Sequence, residues 1–389
     1  MKHDLPPSGS ASEIARMFGL SETIERALYN DFEIEFSPGQ ICAITGPSGS
    51  GKSVLLKQFR KQIPKNQLIE LGKISRADRA KCAADLLGKL STRDALAILS
   101  RIGLAEAALL TTPAGELSEG QQYRLSLARA LTKAKLSRKA MVLLADEFCS
   151  SLDVITAAIL CRQIRKLISR ENLAFVVATP RAEILPALKP DKIITKPVDE
   201  PAKITTLAER QSRLPDPANW AVTRGNIWHY RELARYHYIA DAPACHKRVY
   251  KITVPEIWQK TGCPKTAAVL VVSPPIICVR GRNVATNRRY IEGGRAGRTA
   301  GLKLMNQELE AISRVIVHPI FRGCGLAGKL IRHAIATSPV KFIESLAAMG
   351  KIHPMFEAAG LSPVGLFRGR TNYYNYYIGK TPAADAIAS

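Results

Sequence analysis

Leu117-Ser118-Glu119-Gly120-Gln121 stands between two other recognisable stretches: Gly46-Pro47-Ser48-Gly49-Ser50-Gly51-Lys52-Ser53 upstream and Met141-Val142-Leu143-Leu144-Ala145-Asp146-Glu147 downstream. The upstream stretch has the GxxxxGK[ST] form of a phosphate-binding loop, and the downstream one is an apolar run ending in two acids. Glycines at 46, 49 and 51 let backbone N–H groups converge on phosphates, Lys52 adds a cation, and the Ser53 hydroxyl suits Mg²⁺. Asp146, at the end of an expected strand, is positioned to hold the same Mg²⁺ through water. Glu147 beside it is the expected base for an attacking water.

The flanks fit a genuine loop. Residues 31–45 read as a pair of strands, with Phe32, Ile34 and Phe36 alternating against Glu33 and Glu35, a Pro38-Gly39 turn, and an apolar run that ends on the loop. Val54-Leu55-Leu56 opens a helix, giving the strand-loop-helix context such a loop needs. Further strands are expected at 174–178 and 192–194 and a helix over 157–169, so the N-terminal part is an α/β domain with P-loop topology.

Together the three motifs resemble those of ABC-type ATPases, over roughly residues 15–195. The resemblance implies that ATP and Mg²⁺ are bound and ATP is hydrolysed. It also implies that two chains pair head to tail as a homodimer through their ATPase domains. Ser118 and the N–H groups of Gly120 and Gln121 would begin a helix facing ATP held by the other subunit, and Asp153 of Ser150-Ser151-Leu152-Asp153 would contact that subunit. Phe18 lies where the family keeps an aromatic residue on adenine, though a core phenylalanine fits equally. Two departures stand out. Thr179-Pro180-Arg181 replaces the usual histidine after the strand, with Arg181 a partial substitute, and only Gln67 is near the place of the family's Q-loop glutamine. The stretch between Lys52 and Leu117, where transporter subunits dock on membrane partners, is short, so no membrane partner is expected.

Bulk composition widens the picture. A chain of 389 residues is too long for one ordinary core, and 46% hydrophobic with 23% charged residues is a globular composition. The longest apolar run, 266–279, is broken by Pro274-Pro275 and falls short of a membrane span. Met1-Lys2-His3-Asp4-Leu5-Pro6-Pro7 lacks the apolar core of a signal peptide, and eight cysteines without a CxxC pair suit reduced thiols, so a cytoplasmic location is expected. The net charge of +23 fits either attraction to nucleotide phosphates or a footprint for nucleic acid.

A proline-rich, aperiodic stretch at 197–217 reads as a linker, dividing the chain into 1–196 and 218–389. Beyond it the pattern is helix (227–238), strand (267–272), an Arg/Gly-rich loop, strand (312–317), helix (326–336), strand (342–346), helix (355–359) and strand (373–378). The run from Ile312 to Ala327 resembles the coenzyme motif of GNAT acetyltransferases. A strand ends at Val317, and Arg322-Gly323-Cys324-Gly325-Leu326-Ala327 turns tightly into a helix whose first N–H groups face a pyrophosphate. That resemblance implies acetyl-CoA and a GNAT-fold, mixed-sheet α+β acyltransferase domain. Glu344 is the first candidate for its general base, with His318, His353, Tyr373 and Tyr374 as rivals. The C-terminal half is also similar to the Mom-like branch of that fold, which modifies DNA bases.

The segment 280–303 holds Arg280, Arg282, Arg288, Arg289, Arg295, Arg298 and Lys303 against one acid, Glu292, and is read as a flexible arm that tracks nucleic-acid phosphates. The resulting expectation is an ATP-driven dimer coupled to acetyl transfer onto an amine, with nucleic acid as a candidate acceptor. An ATP-gated nucleic-acid clamp with a non-catalytic GNAT module is the alternative. A transporter's ATP-binding subunit ranks last.

Overall fold

The computed structural model describes residues 2–4, 9–18, 23–25, 33–197, 202–205, 216–237, 243, 245–260, 263–291, 294–348, 350, 353–369 and 373–386. Phe32, Tyr238, Glu292 and most of the expected linker lie outside them, as does the side chain of Arg295. The described chain forms two compact units, one of Met1–Leu71, Lys133–Ser150 and Arg165–Arg210, the other of Gly72–Thr132, Ser151–Ile164 and Gln211–Ser389.

The first unit is built on β3 (Ile41–Thr45), β4 (Leu68–Glu70), β5 (Met141–Ala145), β6 (Leu173–Thr179), β7 (Lys192–Thr195) and β8 (Lys203–Thr205), in the order β4-β5-β6-β3-β7-β8. A separate ribbon pairs β1 (Lys2–Asp4) with β2 (Thr23–Glu25). All the neighbours in the six-stranded sheet are parallel except β7 and β8. Parallel strands need both faces covered, which is why β3 and β6 are apolar and buried along their whole length. The helix Lys52–Gln62 covers one face, with Leu55, Leu56 and Phe59 buried on Cys42, Ile44, Leu144 and Val176. The expected strand at 33–37 does not form, since these residues enter no ladder. Ile34 and Phe36 are still placed by apolar contact, packing against the same core, with Phe36 edge-on to Phe59 at 5.1 Å.

The second unit contains a seven-stranded mixed sheet: β9 (Val222–Arg224), β10 (Arg248–Thr253), β11 (Thr266–Ser273), β12 (Leu309–Val317), β13 (Phe342–Ala347), β14 (Ser362–Arg368) and β15 (Tyr373–Lys380), ordered β9-β10-β11-β12-β13-β15-β14. Only β12 and β13 are parallel, and their pairing runs from Leu309↔Phe342 to Ile312↔Ser345. Beyond it, β12 stays on β11 and β13 stays on β15, so the two strands part. β11 is buried on both faces by alternation. Ala268, Leu270 and Val272 join Leu326, Leu330, Ile331 and Ala334 of the helix Leu326–Ala336, while Val269 and Val271 meet Tyr230 and Leu233 of the helix Ile227–Leu233. Ile155 and Ile159, from the helix Val154–Ile168, complete the first of these cores beside Trp220, Trp258 and Phe321. A chain-continuous division therefore does not describe this core.

Much of the basic segment is helical rather than a loop, with helices at Arg280–Ala285 and Gly294–Glu308. Arg282 is 2% exposed and forms a two-pronged ion pair with fully buried Glu344, at 2.9 and 2.5 Å. The Tyr376 hydroxyl donates to Glu344 at 2.5 Å. Arg289 and Lys341 pair with Glu308 and hold its carboxyl well below the usual range, to about 2. A charge cannot be buried this far unless its partner is matched, so the arginines nearest the sheet are structural. Glu344→Ala should leave the Arg282 guanidinium stranded and destabilise the second unit by about 3–5 kcal/mol. Replacing Arg282 and Glu344 together by Met and Leu should recover most of the loss. Urea denaturation of the single and double variants checks both.

Candidate functional site

The loop after β3 turns on glycines, and at the first of them no other residue fits. Gly46 has φ 150°, and a Cβ there would collide with the carbonyl oxygen of Lys196. Gly49 and Gly51 lie at φ 77° and 96°, and Gly51 caps the helix Lys52–Gln62 from the left-handed region. The Lys52 ammonium donates to the carbonyls of Gly46 and Pro47, at 2.9 and 2.6 Å. Burial pulls its pKa down, opposed by the charges of Asp146 and Glu147. The Ser50 hydroxyl is turned into the protein, 1% exposed.

Ser48, Gly49, Gly51, Lys52, Ser53, Asp146 and Glu147 line one cleft of about 300 Å³. Lysine, hydroxyl and both acids therefore meet although almost a hundred residues separate them in the chain. Glu147 sits at φ 47° and Cys149 at φ 62°, a conformation that costs non-glycine residues free energy. Their turn is held from both sides: Phe148 N–H donates to Ala178 O at 2.8 Å, and the buried Thr179 hydroxyl donates to Phe148 O at 3.1 Å. Arg181 donates to Cys149 O at 2.9 Å and pairs with Glu183 at 2.8 Å. Pro180 lines the cleft where ABC-type ATPases usually carry a histidine, and Arg181 is engaged in bracing the turn. Pro180 has no side-chain donor to offer a phosphate.

Hard oxygen donors suit Mg²⁺, which keeps several waters and takes one or two carboxylates together with substrate phosphates. Ser53 and Asp146 in one cleft meet that requirement, and Asp146 still accepts from the Glu147 N–H at 3.0 Å. Phe18 is 76% exposed at the end of the helix Ser10–Met17.

In the second unit the stretch from Ser118 forms a reciprocal cap that starts the helix Glu119–Leu136. The Gln121 N–H donates to the Ser118 hydroxyl at 3.4 Å, and Gln121 Oε1 accepts from the Ser118 N–H at 2.9 Å. The Ser-x-x-Gln spacing could have announced this cap from sequence. Asp153 caps the helix Val154–Ile168 from one side, accepting from Ile155 and Thr156 N–H at 3.0 and 2.9 Å.

Gly323 and Gly325 have φ 80° and 82°, and Gly325 precedes the helix Leu326–Ala336 with open space at its Cβ position. At Gly323 the close neighbours are the backbone atoms of Ser100 and Arg101, at 3.2–3.3 Å from a Cβ placed there. Arg322 turns inward, donating to Val317 O at 3.2 Å and Tyr236 O at 3.4 Å. Cys324 and Leu326 are buried, and Gln163 donates to the Cys324 thiol at 3.7 Å, while Ala327 is half-buried. Glu344 has both carboxylate oxygens engaged by Arg282 and Tyr376 and is 0% exposed, so a substrate amine does not reach it in this arrangement. Of its rivals, Tyr373 and His353 are exposed, and Tyr374 packs on Phe367 at 6.1 Å.

The family described as ABC transporter matches residues 29–150. The lipoprotein-releasing system ATP-binding protein LolD of Novosphingobium aromaticivorans is 31% identical over 196 residues, covering 41% of this chain and 84% of the relative. This chain belongs to the ABC transporter family. The phosphonates import ATP-binding protein PhnC of Hyphomonas neptunium is 28% identical over 229 residues, covering 47% of this chain and 85% of the relative. Among solved structures, a dimeric bacterial ABC transporter cassette is 19% identical with a TM-score of 0.36, covering 46% of this chain and 91% of that one. ABC cassettes bind ATP with Mg²⁺ and hydrolyse it, and the chain is an ATPase of this type. The two relatives are named for phosphonates import and for lipoprotein release. No described helix is long and apolar enough to cross a membrane.

His318 gives the second unit a pH signature. Its Nδ1 accepts from the Ile320 N–H at 3.4 Å, and its Nε2 meets the Tyr236 hydroxyl at 3.2 Å. Burial, then the nearby charges of Arg235 and Arg322, push its pKa down to about 4. The folded value lies below the unfolded one, so the neutral ring's contribution is complete above about pH 6.5 and is lost as pH falls towards about 4. The loss reaches at most about 3 kcal/mol. Urea midpoints of the native chain and of His318→Asn should differ more at pH 7.5 than at pH 4.5.

Proposed function

We propose that two copies of this chain close head to tail over ATP and that the cycle acts on a C-terminal module that binds acetyl-CoA. The observation that carries the ATP half is the single cleft shared by Lys52, Ser53, Asp146 and Glu147. Lys52 and the loop N–H groups bind the phosphates. Ser53 and Asp146 would hold Mg²⁺, which supplies charge neutralisation on the β- and γ-phosphates when bound. Glu147, held in its strained turn, orients the attacking water and takes its proton. Pro180 supplies no donor at the γ-phosphate, which fits slow turnover. The capped helix beginning at Ser118 offers N–H groups to a nucleotide on a second copy.

Strand order supports a GNAT-type module: the β12–β13 parallel pair parts after Ile312 and Ser345, and the Gly325 turn that follows β12 opens a helix N-terminus. Acetyl-CoA-dependent N-acetyltransfer is the finer reading. With Glu344 engaged by Arg282, proton removal falls to another group, and a non-catalytic module is the alternative. Of the basic segment, Arg280, Arg288, Arg298 and Lys303 are exposed, and these are the residues a nucleic-acid acceptor would meet. The relatives' names support a second reading, an ATP-binding subunit of a transport system. Membrane-bound partners recovered with the full chain would favour it.

Glu147→Gln should retain ATP and accumulate as a dimer in light scattering, with turnover reduced by about 10²-fold or more. A chain that stays monomeric with ATP in that background overturns the head-to-tail closure. Acetyl-CoA should give heat in calorimetry that Gly325→Leu abolishes, since a side chain there meets only open space in the protein and would block the pyrophosphate. The left-handed φ adds about 1–2 kcal/mol of strain, which melting curves monitor. No heat from the native chain gives precedence to the non-catalytic module.

A further inference from the structure

A second cleft, of about 140 Å³, lies within the second unit. Three arginines line it, Arg101, Arg124 and Arg322, against one acid, Glu106. Gln121 of the capped helix reaches it as well. Leu109 and Ile159 give it an apolar wall. Arg322 and Glu106 stand 3.7 Å apart, beyond good hydrogen-bond distance, and the Arg322 Nη1 is buried. Arg124 is fixed by donating to Gly120 O at 3.2 Å and to Gly103 O at 2.9 Å. Burial lowers the pKa of both Arg124 and Arg322, opposed at Arg124 by Asp153 and then Glu106 and at Arg322 by Glu106. Guanidinium charge gathered in a half-buried cleft whose lining holds one carboxylate is costly until an anion completes it. Planar guanidinium groups match the oxygens of a phosphate.

We propose that this cleft binds the phosphate of a small phosphate ester, and that its occupancy acts on ATP turnover through Gln121 and Arg124. Arg101, Arg124 and Arg322 grip the phosphate, and the ester's carbon skeleton lies against Leu109 and Ile159. Gln121 caps the helix that starts at Glu119, and Arg124 holds its first turn through Gly120 O, so a ligand engaging both changes how that helix start is held. The coupling, though not the binding, rests on the proposed closure of this helix over ATP.

Binding is measured in the full chain carrying Lys52→Ala, which weakens phosphate binding at the ATP loop. Glycerol 3-phosphate and inorganic phosphate are titrated by calorimetry. Both should bind, the ester more tightly because it adds the apolar contact. Adding Arg322→Gln should weaken the ester about tenfold or more, the scale of a lost charge-assisted pair. Arg101 is exposed, so Arg101→Glu tests the cleft without disturbing the core and should weaken it similarly. No heat with Lys52→Ala, or an affinity left unchanged by both arginine substitutions, overturns the site. Equal affinity for ester and free phosphate overturns the ester assignment. In the native chain glycerol 3-phosphate should change kcat, whereas competition at the ATP loop would change only KM. An unchanged kcat overturns the coupling. Absence of any basal ATP turnover would instead count against the ATPase reading, and the calorimetry would still decide the cleft.

Discussion

Everything in the ATP-binding unit depends on how closely the backbone at Gly46 can approach the Lys196 carbonyl. With no Cβ at that point, β3 can run in the middle of a parallel sheet and turn at once into the helix Lys52–Gln62. The parallel pairing of β3 with β6 and of β6 with β5 brings the acids after β5 to the same end of the sheet as the turn. The cleft is therefore a consequence of sheet order: β6 lies between β3 and β5, and residues from the ends of all three strands reach the same space.

Glu147, the acid proposed to orient the attacking water, is held in an unfavourable conformation. Glu147 and Cys149 both lie at positive φ, and the surrounding hydrogen bonds from Phe148, Thr179 and Arg181 overdetermine the turn. Strain of this kind survives only when neighbours enforce it, and it gathers where a side chain must be held in one direction. Arg181 thus braces the backbone of the turn. Pro180, beside it, makes this cleft poorer in donors than the family's usual one.

In the second unit the dominant constraint is the buried Arg282–Glu344–Tyr376 cluster, which fixes the helix Arg280–Ala285 to β13 and β15. A residue type that suits acid-base chemistry on a strand equally suits pairing with a buried guanidinium, and burial decides between them. The Gly323 turn carries the same lesson. Small residues permit close approach by any partner, and at this glycine the chain's own Ser100–Arg101 backbone comes near, while Gly325 stays open.

The sequence by itself determined the local, short-range features: the loop at 46–53, the acids at 146–147, the helix start at Ser118 and the glycine turn at 323–325 follow from residue types at fixed spacing, because turn and cap geometry is local. The strands at β3, β5, β6 and β7 were legible too, since their apolar runs are bounded by turn residues. Residues 33–37 were misread as a strand because alternation records which side chains are buried and not whether the backbone finds a ladder. The tertiary structure alone decided which charges are spent: nothing in the spacing of Arg282, Arg289, Glu308 and Glu344 reveals that they pair, and the arginine segment read as one open basic arm until its helices formed. It likewise decided that Arg101, Arg124 and Arg322, distant in sequence, share one cleft. Pairing across the chain is set by packing, and packing is a property of the whole core.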